Sequence, residues 1–164
     1  MILYAIDPGT EQSAVVVYDS ELRTIRQHMT APNDLILADI ELQGLLGGGP
    51  DVMVCEQIES YGMAVGMETF RTVWWAGRFH QAWPGEAFQL PRRAVKLHLC
   101  HSARATDANI RTAILDRFGP GKDAAIGRKQ NPGPLWGVKG HEFAALAVAL
   151  TWTDTQPQRA PSAS

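Results

Sequence analysis

The residues able to do chemistry in this sequence are Asp7, Glu56, His141 and Glu142. Asp7 ends the apolar run Ile2-Leu3-Tyr4-Ala5-Ile6 and precedes Pro8-Gly9-Thr10. A carboxylate at the end of a rigid strand can face solvent, and Gly9 leaves room for a backbone or a phosphate to come close. The same Asp-Pro-Gly also suits a side chain that only closes a turn. Glu56 lies just past a second apolar stretch, residues 51–55. If the two strands are neighbours, both carboxylates project from one sheet and a divalent cation would relieve their repulsion. Hard oxygen ligands there suit Mg²⁺ or Mn²⁺. Glu59, three residues on, is read as a surface carboxylate. His141 and Glu142 open the last helix, where an acid also complements the helix dipole. Together they form a layout that can supply two metal ions for phosphodiester hydrolysis.

Positioning them requires an alternating α/β chain. Residues 2–6, 13–18 and 22–29 are spaced as an antiparallel meander with short turns. A helix is predicted from Asn33, a suitable N-cap, to the Gly47-Gly48-Gly49-Pro50 stop. Residues 51–55 and 87–90 read as further strands and 63–83 as a long helix rich in Met and aromatics. Residues 106–118 read as an amphipathic helix, 120–137 as a basic loop and 142–151 as an apolar helix. The expected organisation is one domain over 1–154 and a disordered Pro/Ser tail over 155–164.

The chain has 164 residues and 18.0 kDa, with 45% hydrophobic and 20% charged residues. No run approaches the ~18 apolar residues of a membrane helix, so no membrane partner is expected. The N-terminus has no basic start and meets Asp7-Pro8-Gly9 too early for a signal peptide. Cys55 and Cys100 stand alone, which argues against a disulfide scaffold or structural zinc and fits a reducing cytoplasm. The net charge of −2 hides an asymmetry. Residues 1–91 hold four Lys/Arg against twelve acids, whereas residues 92–139 hold ten against three. A basic block beside an acidic body is a polyanion footprint or a solvated basic face.

Ile6-Asp7-Pro8-Gly9-Thr10 resembles the first motif of RuvC-type Holliday junction resolvases, within the RNase H-like nuclease superfamily. Cys55-Glu56-Gln57-Ile58 resembles the second, where a strand delivers a catalytic Glu. Gly140-His141-Glu142-Phe143-Ala144 and the Ala-Leu-Ala repeat after it resemble the last. Order and separations match over roughly residues 1–152. The resemblance implies a mixed five-stranded RNase H-like sheet, an antiparallel meander plus parallel strands, flanked by helices. The shorter loops and the tail suggest a phage or prophage branch.

This sequence departs from the pattern in places. His141 fills the first of the last motif's two positions, but the second is Ala144, so Glu142 is the candidate substitute. Asp107 stands where a basic residue is expected, with Lys96 and Arg104 as candidates for that role. Glu59 replaces a junction-wedging aromatic, Tyr61 being the nearest one.

The function implied is Mg²⁺-dependent cleavage of four-way DNA junctions in the bacterial host cytoplasm or nucleoid. Asp7, Glu56, His141 and Glu142 would hold two Mg²⁺, with Mn²⁺ able to substitute, and hydrolysis would leave a 5′-phosphate. Arg92, Arg93, Lys96, Arg104, Lys122, Arg128 and Lys129 would contact DNA phosphates. A homodimer would match the junction's two-fold symmetry, with Met67, Phe70, Trp74 and Phe79 of the aromatic helix as core and Trp75 and Met63 at the interface. Alternatives are a related nuclease acting on another branched or hybrid substrate, and a catalytically weak junction-binding protein.

Overall fold

The computed structural model describes residues 1–60, 62 and 64–156. The chain runs β1 (Ile2–Asp7), β2 (Gln12–Asp19), β3 (Thr24–Pro32), α1 (Asn33–Leu46), β4 (Val52–Gln57), α2 (Met67–Ala82), β5 (Glu86–Pro91) and α3 (Arg92–Cys100). It continues with α4 (Asp107–Phe118), the short α5 (Lys122–Ala125), the strands β6 (Gly127–Arg128) and β7 (Asn131–Pro132), and α6 (Glu142–Thr155). Five strands form one sheet in the order β3-β2-β1-β4-β5. β1, β2 and β3 are antiparallel neighbours, while β1–β4 and β4–β5 pair in parallel. The expected mixed sheet, meander plus parallel strands flanked by helices, is the one observed.

Strand alternation divides the core into two layers. Leu3, Ala5, Val52 and Val54 face α6, α3 and α4, while Tyr4, Ile6, Met53 and Cys55 face α1 and α2. Counting onward by twos puts Asp7 and Glu56 on the α6 side. Ile6 pairs with Cys55, so Asp7 and Glu56 are the next residue along each of two adjacent parallel strands. Glu56 lies inside β4, paired with Leu90 of β5, rather than just beyond the strand.

α6 is apolar nearly all round and buries ten of its residues, from Glu142 to Trp152. Such a helix belongs inside a domain, not on its surface. Its alanines at 145, 147 and 149 are fully or almost fully buried and let it lie close to β1 and β2. Residue 155, where the tail was predicted to begin, still belongs to this helix, and residues 157–164 lie outside those described.

Several elements differ from expectation. α3 falls where no helix is predicted, because Pro91 reads as a strand terminator. Proline fits that place: at the end of edge strand β5 and just before the helix, its own missing N–H forfeits no helix hydrogen bond. Asn33 is the first residue of α1, not its cap, and its side chain is used elsewhere. The basic loop carries a turn of helix and a two-residue hairpin.

The aromatic helix begins at Met67, so Met63 and Tyr61 lie outside the described residues. Its buried residues are Thr72, Ala76 and Phe79, and Trp75 packs partly buried beside them. Met67, Phe70 and Trp74, expected in the core, are 67%, 60% and 57% exposed. α2 buries the 72-76-79 stripe, and that orientation turns residues 70 and 74 outward.

Candidate functional site

The turn after β1 is fixed by a closed hydrogen-bond circuit. Gly9 N–H donates to Ser13 Oγ (3.1 Å), Ser13 Oγ–H donates to Asn33 Oδ1 (2.6 Å), and Asn33 Nδ2 donates to Gly9 O (2.9 Å). Asn33 N–H donates to Glu11 O as well. A Cβ on residue 9 would lie 2.2 Å from Gln12 O, so only glycine fits this turn. Asp7 is thereby held by β1 on one side and by an immobilised loop on the other.

His141 is delivered by the loop into α6. Gly140, at φ +51°, takes the left-handed conformation that a side chain disfavours. His141 Nδ1 then sits 3.1 Å from Asp7 Oδ2. Arg92, the first residue of α3, donates from Nη1 to Glu56 Oε2 (2.7 Å) and from Nη2 to Asp107 Oδ1. Asp7, Glu56, Arg92, Asp107, Arg111, His141 and Ala144 thus face one cleft of about 570 Å³. A second hollow of about 590 Å³, with Thr10, Glu68 and Thr72 in its wall, opens on the other side of Asp7 and His141.

The electrostatics follow from burial. Glu56 is 4% exposed, and its carboxyl is pushed up to about 7 by desolvation and then by Asp7, with Arg92 opposing. Asp7 is raised too, by burial first, with His141 and Arg92 opposing. The Glu56 pair with Asp7 is therefore a like-charge pair held out of water, short of positive charge.

Glu142 is not part of this group. Its carboxylate is buried on the β3 side: Oε2 is 2.8 Å from His28 Nδ1 and accepts from Lys139 N–H (3.0 Å), and Oε1 accepts from Thr30 Oγ1 (3.3 Å). The structure does not bring Glu142, expected to replace the carboxylate missing at Ala144, to the cleft with Asp7 and Glu56. Neighbouring residues at a helix start point in different directions, so His141 toward Asp7 leaves Glu142 pointing away. Ala144, three residues on, does face the cleft.

The basic residues are spread more widely. Arg93 and Lys96 of α3 join Arg92 along a small groove of about 270 Å³ beside the cleft. Arg104 is exposed on the α3–α4 loop, Lys122 on α5, and Arg128 and Lys129 at the hairpin. Arg92 is not a free surface cation, because it is bound to two carboxylates. Sequence reasoning missed Arg111 and the part played by Asp107. Arg111 lies over the Phe143 ring at 4.8 Å, one helical turn after Asp107 on the face of α4 that meets the cleft. That i, i+4 spacing was the available signal. Glu59 is exposed, as expected.

The donor set fits a small divalent cation: two adjacent carboxylates that share the single charge of Arg92, with an imidazole nitrogen against one of them. Among the described residues, no three His, Cys, Asp or Glu side chains converge as a ready-made cage.

No protein-family model and no curated protein matches the sequence. Solved structures do. The structure of Thermus thermophilus RuvC is similar with a TM-score of 0.59 at 16% identity, covering 92% of each chain. The T. thermophilus RuvC complex with a Holliday junction substrate gives 0.57 at 17% identity, covering 92% of this chain and 91% of that one. The fowlpox virus Holliday junction resolvase gives 0.49 at 11% identity, over 95% of this chain and all of that one. A sheet of this order with paired carboxylates at adjacent strand ends, and this overlap along the chain, make the fold that of RuvC, an RNase H-like fold.

Proposed function

We propose that this protein is a structure-selective DNA endonuclease that cuts four-way junctions with a divalent ion bound at Asp7 and Glu56. The observation that carries the reading is the placement of these two carboxylates, Glu56 buried and Asp7 partly so, side by side near the ends of β4 and β1, in a chain that folds like RuvC. His141 adds a nitrogen donor and steadies Asp7 through their contact. A divalent ion held there supplies positive charge to a phosphate and an ionised water at neutral pH. Glu56 takes part deprotonated, so ion binding would release its proton and strengthen as pH rises. Asp7, Glu56 and His141 would supply the protein donors for one ion, with water or a phosphate completing its shell. A second ion, if the reaction uses two, draws on Asp107 across the cleft or on the substrate phosphate.

Arg93, Lys96, Arg104, Lys122, Arg128 and Lys129 would grip phosphates and set position rather than sequence. The exposed apolar face of α2 is the candidate contact between two copies, which would bring two sites to one junction. Among the described residues no helix is long and apolar enough to cross a membrane.

The test is cleavage of a mobile four-way junction in Mg²⁺ by the wild type and by Asp7→Asn. The wild type should cut and Asp7→Asn should not, while both bind the junction, because the substitution leaves the basic surface intact. Near-normal cleavage by Asp7→Asn would sink the site. A second reading, a junction-binding protein with weak cleavage, is favoured by one observation: α6 brings only His141 to the cleft, with Ala144 beside it and Glu142 turned away. Binding without cutting by the wild type would support it.

A further inference from the structure

Arg92 holds an unusual position between two functions. It begins α3 directly after Pro91, and Pro91 pairs with Gln57, the residue after Glu56. Its guanidinium spans two carboxylates from different elements, Glu56 on β4 and Asp107 on α4. It lines both the carboxylate cleft and the smaller groove shared with Arg93 and Lys96. The side chain is 30% exposed and its partner Asp107 82% exposed, so the outer half of this bridge is open to solvent. A long side chain rooted between the two hollows can carry its charge from one to the other without moving the backbone.

We propose that Arg92 is a tethered cation that a divalent ion displaces from Glu56, and that the released guanidinium then binds a DNA phosphate, coupling ion binding to DNA binding. The inference rests on the reading of Asp7 and Glu56 as the ion site. Without an ion, Arg92 is the positive charge paired with buried Glu56 and close to its neighbour Asp7. An arriving ion does that work better and repels the guanidinium across the shared carboxylate. Guanidinium forks bind phosphate as well as carboxylate, so Arg92 has a second partner when DNA lies in the groove. Each ligand then favours the arrangement that the other needs, and the coupling is reciprocal.

Calorimetric titration of Mg²⁺ into DNA-free protein at pH 8.5, and junction binding with and without Ca²⁺, test this in the wild type, Arg92→Gln and Asp7→Asn. Arg92→Gln should bind Mg²⁺ at least about 5-fold tighter than the wild type, since its competitor is gone. Ca²⁺ should strengthen junction binding of the wild type by about 5-fold or more and of Arg92→Gln by less than about 2-fold. Mg²⁺ affinity in Arg92→Gln equal to or weaker than the wild type overturns the proposal, and so does undiminished coupling to DNA. Arg92→Lys, whose single ammonium cannot bridge both carboxylates, should shift both quantities the same way and serves if the Gln variant does not fold. Asp7→Asn separates the two readings. If it binds Mg²⁺ as the wild type does, the ion site itself is wrong. If it loses Mg²⁺ while Arg92→Gln gains nothing, only the role of Arg92 fails.

Discussion

Glu56 shows how one buried side chain links stability to pH. Burial and Asp7 raise its folded-state pKa from 4.5 to about 7. The folded protein therefore keeps a proton that the unfolded chain has released. Its contribution to stability is complete below about 4.5 and is lost as pH rises through about 7. For a shift of this size the loss is at most about 3 kcal/mol. Thermal melts of the ion-free protein should therefore show Tm falling between pH 5 and 8, and Glu56→Gln should flatten that slope. Identical slopes in the two proteins would mean that Glu56 is not the source.

Glu142 behaves in the opposite way, as an acceptor already matched to its donors. Glu142→Gln leaves Lys139 N–H and His28 with a poorer partner and should cost about 1–3 kcal/mol. Mg²⁺ affinity of the folded variant should stay within about 2-fold of the wild type; a 10-fold loss would return Glu142 to the ion site. Asp7, Glu56 and His141 were legible because strand ends and a helix start are visible in the residue pattern. Which way Glu142 points was not, since that depends on the rotation of α6 against β3.

At the scale of elements, the site rests on two connections that the residue pattern describes unequally. The β1–β2 turn was visible in Pro8-Gly9, yet the circuit closes only through Asn33, twenty or more residues on, and Asn33 reads locally as a cap. Gly9→Ala puts a Cβ on a backbone oxygen that cannot move without opening the turn. It should destabilise the fold by about 1–3 kcal/mol and weaken Mg²⁺ binding through Asp7. A Tm and an affinity equal to the wild type would show the turn to be softer than its geometry. The β5–α3 connection was not legible. The nine-residue helix follows the strand with no linker and starts after Pro91 without a side-chain cap, so only its short length and position hid it, and its stability comes from packing on α4 and α6.

At the scale of the molecule, the two faces of the sheet have different fates. The α6 layer is closed over by α3, α4 and the 120–137 segment. The α1–α2 layer leaves Leu42, Leu45, Phe70, Val73 and Trp74 exposed, with Arg78 lying 4.8 Å and 4.7 Å over the rings of Trp74 and Trp75. A hollow of about 540 Å³ runs between the two helices at Leu37, Val73, Trp74 and Arg78. The richness of this segment in aromatics was evident, but not which of them the core would take, because the apolar positions of this helix allow several stripes. If two copies meet here, sedimentation velocity should show a dimer for the wild type and a monomer for Trp74→Glu, with each monomer still folded. A monomeric wild type at about 100 μM, well above the Kd of a specific interface, would exclude this face as a stable contact.

Cys55 lies directly before Glu56 with its side chain on the opposite face of β4, fully buried, its thiol pushed up by burial first and by Glu56 next. A thiol reagent can meet it only when the middle of the sheet opens, whereas Cys100 at the end of α3 is partly exposed. The labelling rate of Cys55 thus becomes a clock for rare openings beneath the carboxylates. With ordinary domain stability it should lag Cys100 by a factor of at least about 1,000. An ion that binds only the closed sheet should slow that clock further, by a factor that grows linearly with free ion concentration above its Kd, with no substrate and no turnover involved.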